Sequence, residues 1–160
     1  MQERLINTGK CIWCGRTKDE APFETIAHVL PRSMGGSETC VDVCDAYNHY
    51  FGTAAKGKPN IDWVTKEIFT AFRVFGSNLH ENSYKELKSK FFHYKHSTRT
   101  IHFNHVFNSR VVTDQFKKGL YEIFLQKYHN VTGNGNHPMF DMVRKYARYG
   151  IGQPRVLSLG

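Results

Sequence analysis

The chain has 160 residues, of which 40% are hydrophobic and 14% aromatic, and its formal net charge is +8. This length suits one folded domain, and the apolar content excludes an intrinsically disordered chain. The excess of Lys and Arg favours a polyanionic partner, with nucleic acid ahead of an anionic membrane surface, although many basic proteins bind neither.

The sequence contains no apolar run long enough to cross a bilayer, and its first residues lack a signal-peptide pattern. We therefore expect a cytoplasmic protein that does not use a membrane. Thiols stay reduced in that compartment, so the four cysteines are expected to be metal ligands or core residues rather than disulfides.

The first part of the chain predicts two strands and a helix that follow a cysteine turn. A Cys-x-x-Cys-Gly turn covers residues 11–15. One strand is predicted over residues 22–30, and a second over residues 40–44, after a loop that contains two glycines. Asp45 is the predicted N-cap of a helix that reaches about residue 55.

The rest of the chain predicts a mostly helical region. Apolar residues recur at helical spacing over four segments, at residues 61–75, 82–94, 114–129 and 138–148. Between them, residues 98–112 alternate β-branched and aromatic side chains with polar ones, which predicts a strand.

The order of these elements predicts an α+β fold. Residues 1–56 are expected to form a compact finger of two strands and a helix. Residues 57–160 are expected to form a mostly helical support with one or two extra strands, within the same compact domain.

The cysteines suggest a zinc site that the spacing leaves incomplete. Cys11 and Cys14 form a turn that presents two thiolates, and Cys44 offers a third. If residues 40–44 are extended, Cys40 lies roughly 13 Å from Cys44, at about 3.3 Å per residue. Two ligands of one zinc lie only about 4 Å apart, so Cys40 can be a ligand only if that segment turns. The alternative is that all four are core cysteines without a metal.

His28 and Asn48 are candidate catalytic residues. A neutral imidazole can take a proton from an attacking water, because histidine titrates near neutral pH. The amide oxygen of Asn48, in the predicted helix, is a hard ligand suited to Mg²⁺ or Mn²⁺. His49 lies one residue further, about 100° around the helix, and is not expected to share that metal.

The order and spacing of these residues resemble the HNH endonucleases, in particular the subgroup supported by zinc on four cysteines. The pattern appears here as Cys11-x-x-Cys14, Ala27-His28-Val29-Leu30-Pro31, Gly35-Gly36 and Val43-Cys44-x-x-Tyr47-Asn48-x-x-Phe51-Gly52. The resemblance implies a ββα-metal finger and hydrolysis of DNA phosphodiester bonds. It implies His28 as general base, Asn48 as a ligand of catalytic Mg²⁺ or Mn²⁺, and the cysteines as ligands of structural Zn²⁺.

Two positions depart from the family pattern, and both fall on metal ligands. Ala27 stands where the pattern has an acidic residue, and a methyl group cannot bind a metal. Tyr47 stands where the pattern has a cysteine, and a phenol ionises only near pH 10. The residues considered as substitutes for the missing carboxylate are Glu24, Glu38 and Asp42.

Dispersed cations predict contacts with nucleic-acid phosphates, although any single lysine is more simply a solvated surface residue. The residues expected to make such contacts are Arg32, Lys117, Lys118 and Arg144. The leading hypothesis is thus a metal-dependent HNH endonuclease that acts on DNA. The alternatives are a catalytically degenerate nucleic-acid-binding protein with the same fold and a zinc-supported protein-interaction module.

Overall fold

The computed structural model describes residues 5–76, 86–105, 107–152 and 154. In chain order its elements are β1 (Ala27–His28), a 3-10 helix (Arg32–Met34), β2 (Thr39–Cys40), α1 (Asp45–Gly52), α2 (Ile61–Gly76), β3 (Glu86–Lys88), β4 (Phe92–Lys95), β5 (Thr100–Phe103), α3 (Ser109–Thr132), a second 3-10 helix (Pro138–Phe140) and α4 (Asp141–Tyr149). None of the described helices is both long and apolar enough to cross a membrane.

Strands β1 and β2 form a small antiparallel sheet, with Ala27 opposite Cys40 and His28 opposite Thr39. Each strand has two residues and is shorter than predicted. The second strand ends early because the next residues bond elsewhere: the Asp42 carbonyl accepts from the backbone N–H of Ile12 at 2.9 Å. The segment after β2 is thereby attached to the cysteine turn.

The loop between the two strands depends on a close backbone approach. A Cβ on Gly36 would lie 2.1 Å from the carbonyl oxygen of Leu30, so only glycine fits there. Gly35 has a φ of 83°, in the left-handed region that favours glycine. The two glycines of the sequence pattern therefore have a backbone role, which is to close this loop.

Helix α1 completes the finger, and its start corrects the sequence prediction. Asp45 is the first helical residue, and Cys44 is the N-cap. The Asp45 carboxylate instead accepts hydrogen bonds from the backbone N–H and hydroxyl of Thr25, at 2.8 and 2.7 Å. The helix ends at Gly52, before the predicted end. The strand, strand, helix order agrees with the predicted ββα finger within an α+β fold.

The finger packs on the later helices through a shared apolar core. Trp13 and Phe51 of the finger are buried with Leu125 of α3 and Ala147 of α4. A second core cluster lies under the three-stranded sheet and consists of Val64, Phe91, Phe92 and Val112. The helices after the finger therefore complete its core.

A buried polar contact also joins the finger to α3. Oδ2 of the fully buried Asp42 accepts from the Thr8 N–H at 2.6 Å and from Nε2 of His129 at 2.9 Å. Nδ1 of His129 accepts from the Gly135 N–H at 3.1 Å, so the imidazole proton that Asp42 receives lies on Nε2. This pair fixes the orientation of α3 against the cysteine turn.

The helix predicted over residues 82–94 is wrong wherever the structure describes it, and residues 82–85 lie outside the described residues. Strands β3, β4 and β5 form an antiparallel sheet instead, so the described residues contain three extra strands rather than one or two. Phe92 pairs with Phe103 and Tyr94 with Ile101, and since alternate residues of a strand share one face, these side chains lie on the same face of the sheet. The apolar spacing of this segment is compatible with a helix and with a strand, and cross-strand pairing decides in favour of the strand.

The strand predicted over residues 98–112 is confirmed only for Thr100–Phe103. Helix α3 already begins at Ser109, because the side chain of Asn108 caps it by accepting from the Val111 N–H at 3.1 Å. Gly150 ends α4 in the left-handed conformation, as expected of a residue that stops a helix. The helices predicted over 61–75, 114–129 and 138–148 all exist with shifted ends.

Candidate active site

The structure brings three of the four cysteines together. The sulfur atoms of Cys11, Cys14 and Cys44 lie within 4.8 Å of one another, and those of Cys14 and Cys44 are 3.8 Å apart. A tetrahedral zinc with Zn–S bonds of about 2.3 Å requires sulfur atoms separated by about 3.8 Å. The Cys44 N–H points at Cys11 Sγ at 3.4 Å, a contact that suits a thiolate. The three cysteines therefore suit a zinc site.

Cys40 does not join this group. It is 1% exposed, pairs with Ala27 in the small sheet, and its burial raises the pKa of its thiol to about 12. The segment 41–44 does not turn back far enough to bring Cys40 to the other three cysteines. Its predicted role as a zinc ligand is therefore not supported by the fold.

Tyr47 occupies the place where the family pattern has the fourth cysteine, and a cation lies against it. Burial raises the pKa of the Tyr47 phenol to about 12, so it stays protonated and is a poor ligand. The guanidinium carbon of Arg148 lies 4.9 Å from the centre of the Tyr47 ring and 4.7 Å from that of Tyr149. Nη1 of Arg148 donates to the Trp13 carbonyl at 3.0 Å, inside the cysteine turn.

His28 and Asn48 line one cavity of about 280 Å³ on another side of the finger. His28 ends β1, and Asn48 lies in the first turn of α1. Residue 27 faces the core, at 2% exposed, and alternation along the strand sends its neighbour to the opposite side. The two predicted catalytic residues are therefore brought together by the small sheet and the helix that follows it.

The orientation of the Asn48 amide follows from a short hydrogen-bond chain. The Thr25 hydroxyl donates its only proton to Asp45 at 2.7 Å, so it can only accept from Asn48 Nδ2 at 2.9 Å. The amide nitrogen therefore faces Thr25, and the oxygen is turned away from it. This leaves the hard donor atom of Asn48 for another partner.

Two carboxyl groups that the sequence analysis did not consider line the same cavity. Asp62 comes from α2 and Glu122 from α3, and their side chains are hydrogen-bonded to each other. Burial and the neighbouring Asp62 raise the pKa of Glu122 well above its ordinary value of 4.5, and burial raises that of Asp62 above 3.8. Glu122 is therefore the member of the pair that holds its proton more tightly, and its hydrogen bond to Asp62 favours the ionised form of Asp62.

Close packing of α2 on α3 positions these carboxyl groups. A Cβ on Gly119 would lie 1.9 Å from the Thr65 hydroxyl, so the glycine permits the two helices to touch. Asp62 Oδ2 lies 3.6 Å from the position of a Cβ on Gly52, one turn after Asn48 in α1. The glycine within an otherwise regular helix was the available sequence signal, but it does not tell which helix approaches.

The acidic residues considered as substitutes for the missing carboxylate lie elsewhere. Glu38 accepts from Lys127 at 2.7 Å and from Asn130 at 3.0 Å. Asp42 is held in the core, and Glu24 is exposed and is not among the residues that line this cavity. None of these three candidate substitutes is therefore among the residues that line this cavity.

The four predicted phosphate contacts divide into two kinds. Arg32 lines the cavity, and Lys117 is exposed on α3. Lys118 is only 4% exposed and lies 3.4 Å from the Asp114 carboxylate.

Arg144 is held by the loop before α4. It donates to the carbonyls of Gly135 at 2.6 Å and His137 at 2.9 Å, and it also bonds to Asp141. Lys118 and Arg144 therefore already have partners within the fold, and their contact with phosphate stays a prediction.

Comparison with known proteins identifies a segment that contributes residues to both sites. Residues 11–58 match a family model described as HNH endonuclease. Searches of curated proteins and of solved structures returned no match. The matched segment contains the three clustered cysteines, His28 and Asn48, and it ends before the helices that supply Asp62 and Arg148. Residues 11–58 of this chain are therefore similar to the HNH endonucleases.

Proposed function

We propose that the protein is a metal-dependent HNH endonuclease that hydrolyses DNA phosphodiester bonds in the cytoplasm. The observation that carries this proposal is the cavity in which His28 and Asn48, both within the family segment, lie beside Asp62 and Arg32. Such a hydrolysis needs a general base, hard donors that bind a metal, and a cation that contacts the phosphate.

His28 acts as the general base. It takes a proton from the water that attacks phosphorus, while Arg32 contacts the phosphate and orients the strand. The cavity is wide enough for a phosphate group, and the basic surface of the chain draws DNA towards it.

Asn48 and Asp62 hold the catalytic divalent metal. An amide oxygen and a carboxylate are hard donors, which suit Mg²⁺ or Mn²⁺. When bound, the metal stabilises negative charge on the phosphate and the leaving oxygen. Asp62 supplies the anionic ligand that Ala27 lacks, and its hydrogen bond with Glu122 orients it.

Cys11, Cys14 and Cys44 hold a structural Zn²⁺ that attaches the cysteine turn to the start of α1. The same helix carries Asn48, so the zinc site contributes to the geometry of the cavity. We also propose that residues 1–56 and 57–160 fold as one domain, because both contribute to the largest core cluster.

Metal-dependent nicking of supercoiled plasmid tests this proposal. We expect nicking with Mg²⁺ or Mn²⁺, its loss with a chelator, and its recovery when the metal is restored. Salt-sensitive DNA binding without nicking would instead support the non-catalytic nucleic-acid-binding protein, which the apolar residue at position 27 favours. If the protein neither nicks nor binds DNA, the protein-interaction module is the alternative that these results support.

A further inference from the structure

The three-cysteine group has surroundings that its similarity to the HNH endonucleases does not explain. We propose that a metal at Cys11, Cys14 and Cys44 takes its fourth ligand from outside the chain, as the thiolate of a small thiol, and that Arg148 is the positioning residue that attracts it. The inference rests on the structural metal site proposed above, but it does not depend on nuclease activity.

Three observations leave the fourth position to an external ligand. Within the part of the chain that the structure describes, no fourth His, Cys, Asp or Glu belongs to the group. Tyr47 stands at the place of the fourth cysteine, and a phenol is not among the usual ligands of zinc. Cys40, the remaining cysteine, is 1% exposed and lies in the small sheet.

The charge of the site favours an anionic ligand next to Arg148. Three thiolates and one Zn²⁺ leave a net charge of about −1, which one guanidinium neutralises. Without the guanidinium, a fourth thiolate would bring the charge of the site to about −2. With the guanidinium, the three-thiolate site is neutral, so it accepts a fourth thiolate at a lower electrostatic cost.

Arg148 has a free donor at this place. Its Nη1 is used by the Trp13 carbonyl, and its guanidinium lies against the rings of Tyr47 and Tyr149. Its Nε is buried and has no hydrogen-bond partner among the described residues. A buried N–H without a partner is costly, so an anion that reaches this atom is stabilised by it.

Within the described residues, the group combines buried members with half-buried ones. Cys11 is 0% and Cys44 1% exposed, whereas Cys14, Tyr47 and Arg148 are half-buried. The half-buried residues therefore form the side from which a ligand can enter. A second copy of this chain has no spare exposed thiol, because Cys40 is buried, so a small-molecule thiol fits the position better.

Binding is a ligand exchange without any redox step. The thiol would lose its proton to solvent, its thiolate would replace a solvent molecule at the fourth position of the metal, and no electron would leave either partner. A thiolate matches the metal's preference for soft ligands at this site.

The test uses Co²⁺, which takes the same ligands as zinc and has a visible spectrum that reports its coordination. The full-length protein is loaded with one Co²⁺ per chain and titrated with 2-mercaptoethanol, and bound cobalt is checked by dialysis. We expect a saturable increase in thiolate-to-cobalt absorption with cobalt still bound. Tyr47→Cys should show this absorption before any thiol is added and should not respond to it.

Arg148 variants test the positioning role. Arg148→Gln should weaken the apparent affinity for the thiol roughly tenfold or more, since a charged hydrogen bond is lost. Arg148→Lys keeps the charge and should lose less, and it replaces the glutamine variant if that one fails to fold.

Several results would overturn the inference. One is a parent spectrum that already equals that of Tyr47→Cys, and another is a parent spectrum that does not change with thiol. Equal thiol affinity in the parent and both Arg148 variants would remove Arg148 from the site. Failure to bind cobalt would refute both this inference and the structural metal, whereas plasmid nicking by the same preparation would show that the proposed nuclease function survives.

Discussion

The finger and the helices that follow it contribute differently to the two candidate metal sites. The finger supplies the neutral or soft donors, namely three cysteines, His28 and Asn48. The later helices bring charged groups to both sites: Asp62 and Glu122 to the cavity and Arg148 to the cysteine group. Each charged group lies beside a site where the finger departs from its family pattern.

This difference shows that the family segment by itself gives an incomplete description of the chemistry. A comparison of residues 11–58 with the pattern finds one missing carboxylate and one missing thiolate, which suggests two defective sites. The folded chain places a carboxyl pair near the first and a guanidinium near the second. On our proposal, the first departure is compensated by an acid from another helix, and the second by a ligand from solution.

The largest expected effect comes from the finger's side of the cavity. His28→Ala should reduce the rate of plasmid nicking by about 10² to 10⁴, because the general base is lost. DNA affinity should stay within a few-fold of the parent. His49→Ala is the matched control and should nick normally, since that exposed histidine forms hydrogen bonds only with Thr53 among the described residues. Unchanged nicking by His28→Ala would remove the residue from the mechanism.

The next effect concerns the soft donors of the finger. Cys44→Ser should lose most of the bound zinc during dialysis against a chelator, because two thiolates cannot hold it well. Cys40→Ala serves as the control and should retain zinc, since Cys40 lies outside the group. Tyr47→Cys should retain zinc longer than the parent. Metal content by mass spectrometry checks all three, and equal loss from the Cys40 and Cys44 variants would contradict the assignment.

Sequence patterns predicted the parts of this molecule that depend on nearby residues. The helix α2 follows from apolar spacing, the end of α4 from Gly150, and the cysteine turn from two thiols three residues apart. Each of these signals lies within a few residues of the feature it predicts.

Contacts between distant segments could not be predicted in this way. Asp62 and Glu122 meet only because α2 packs on α3, and Arg148 reaches the cysteine turn only because α4 packs on the finger. The sheet of β3, β4 and β5 was missed for a related reason. Its apolar residues satisfied helical spacing, and only the pairing of Phe92 with Phe103 distinguishes the strand.

A third prediction tests whether the later helices supply the missing carboxylate. Asp62→Asn should weaken Mn²⁺ binding by at least roughly 10- to 100-fold, since the loss of even an outer partner of a metal ligand costs that much. Glu67→Gln, on the same helix but not among the residues that line the cavity, is the control and should bind Mn²⁺ like the parent. Calorimetry of zinc-saturated protein measures the affinity. Parent-like binding by Asp62→Asn would mean that the anionic ligand lies elsewhere.

The smallest expected effect distinguishes cations that meet DNA from cations that hold the fold. Arg32→Ala and Lys117→Ala should each reduce the slope of log affinity against log salt by about 0.9, the value for one lost phosphate contact on duplex DNA. Both side chains are exposed, so their removal should leave the melting temperature nearly unchanged.

Lys118→Ala should give the opposite result in both measurements. The lysine is 4% exposed and its ammonium lies 3.4 Å from Asp114, which also accepts from the Tyr146 hydroxyl at 2.8 Å. Its loss leaves a partly buried carboxylate with one partner fewer, so the melting temperature should fall while the salt slope stays at the parent value. A lower slope with unchanged stability would show that Lys118 reaches DNA, and the division of the basic residues by burial would then be wrong. Binding titrations between about 50 and 200 mM salt, with thermal melts of the same three variants, make that comparison directly.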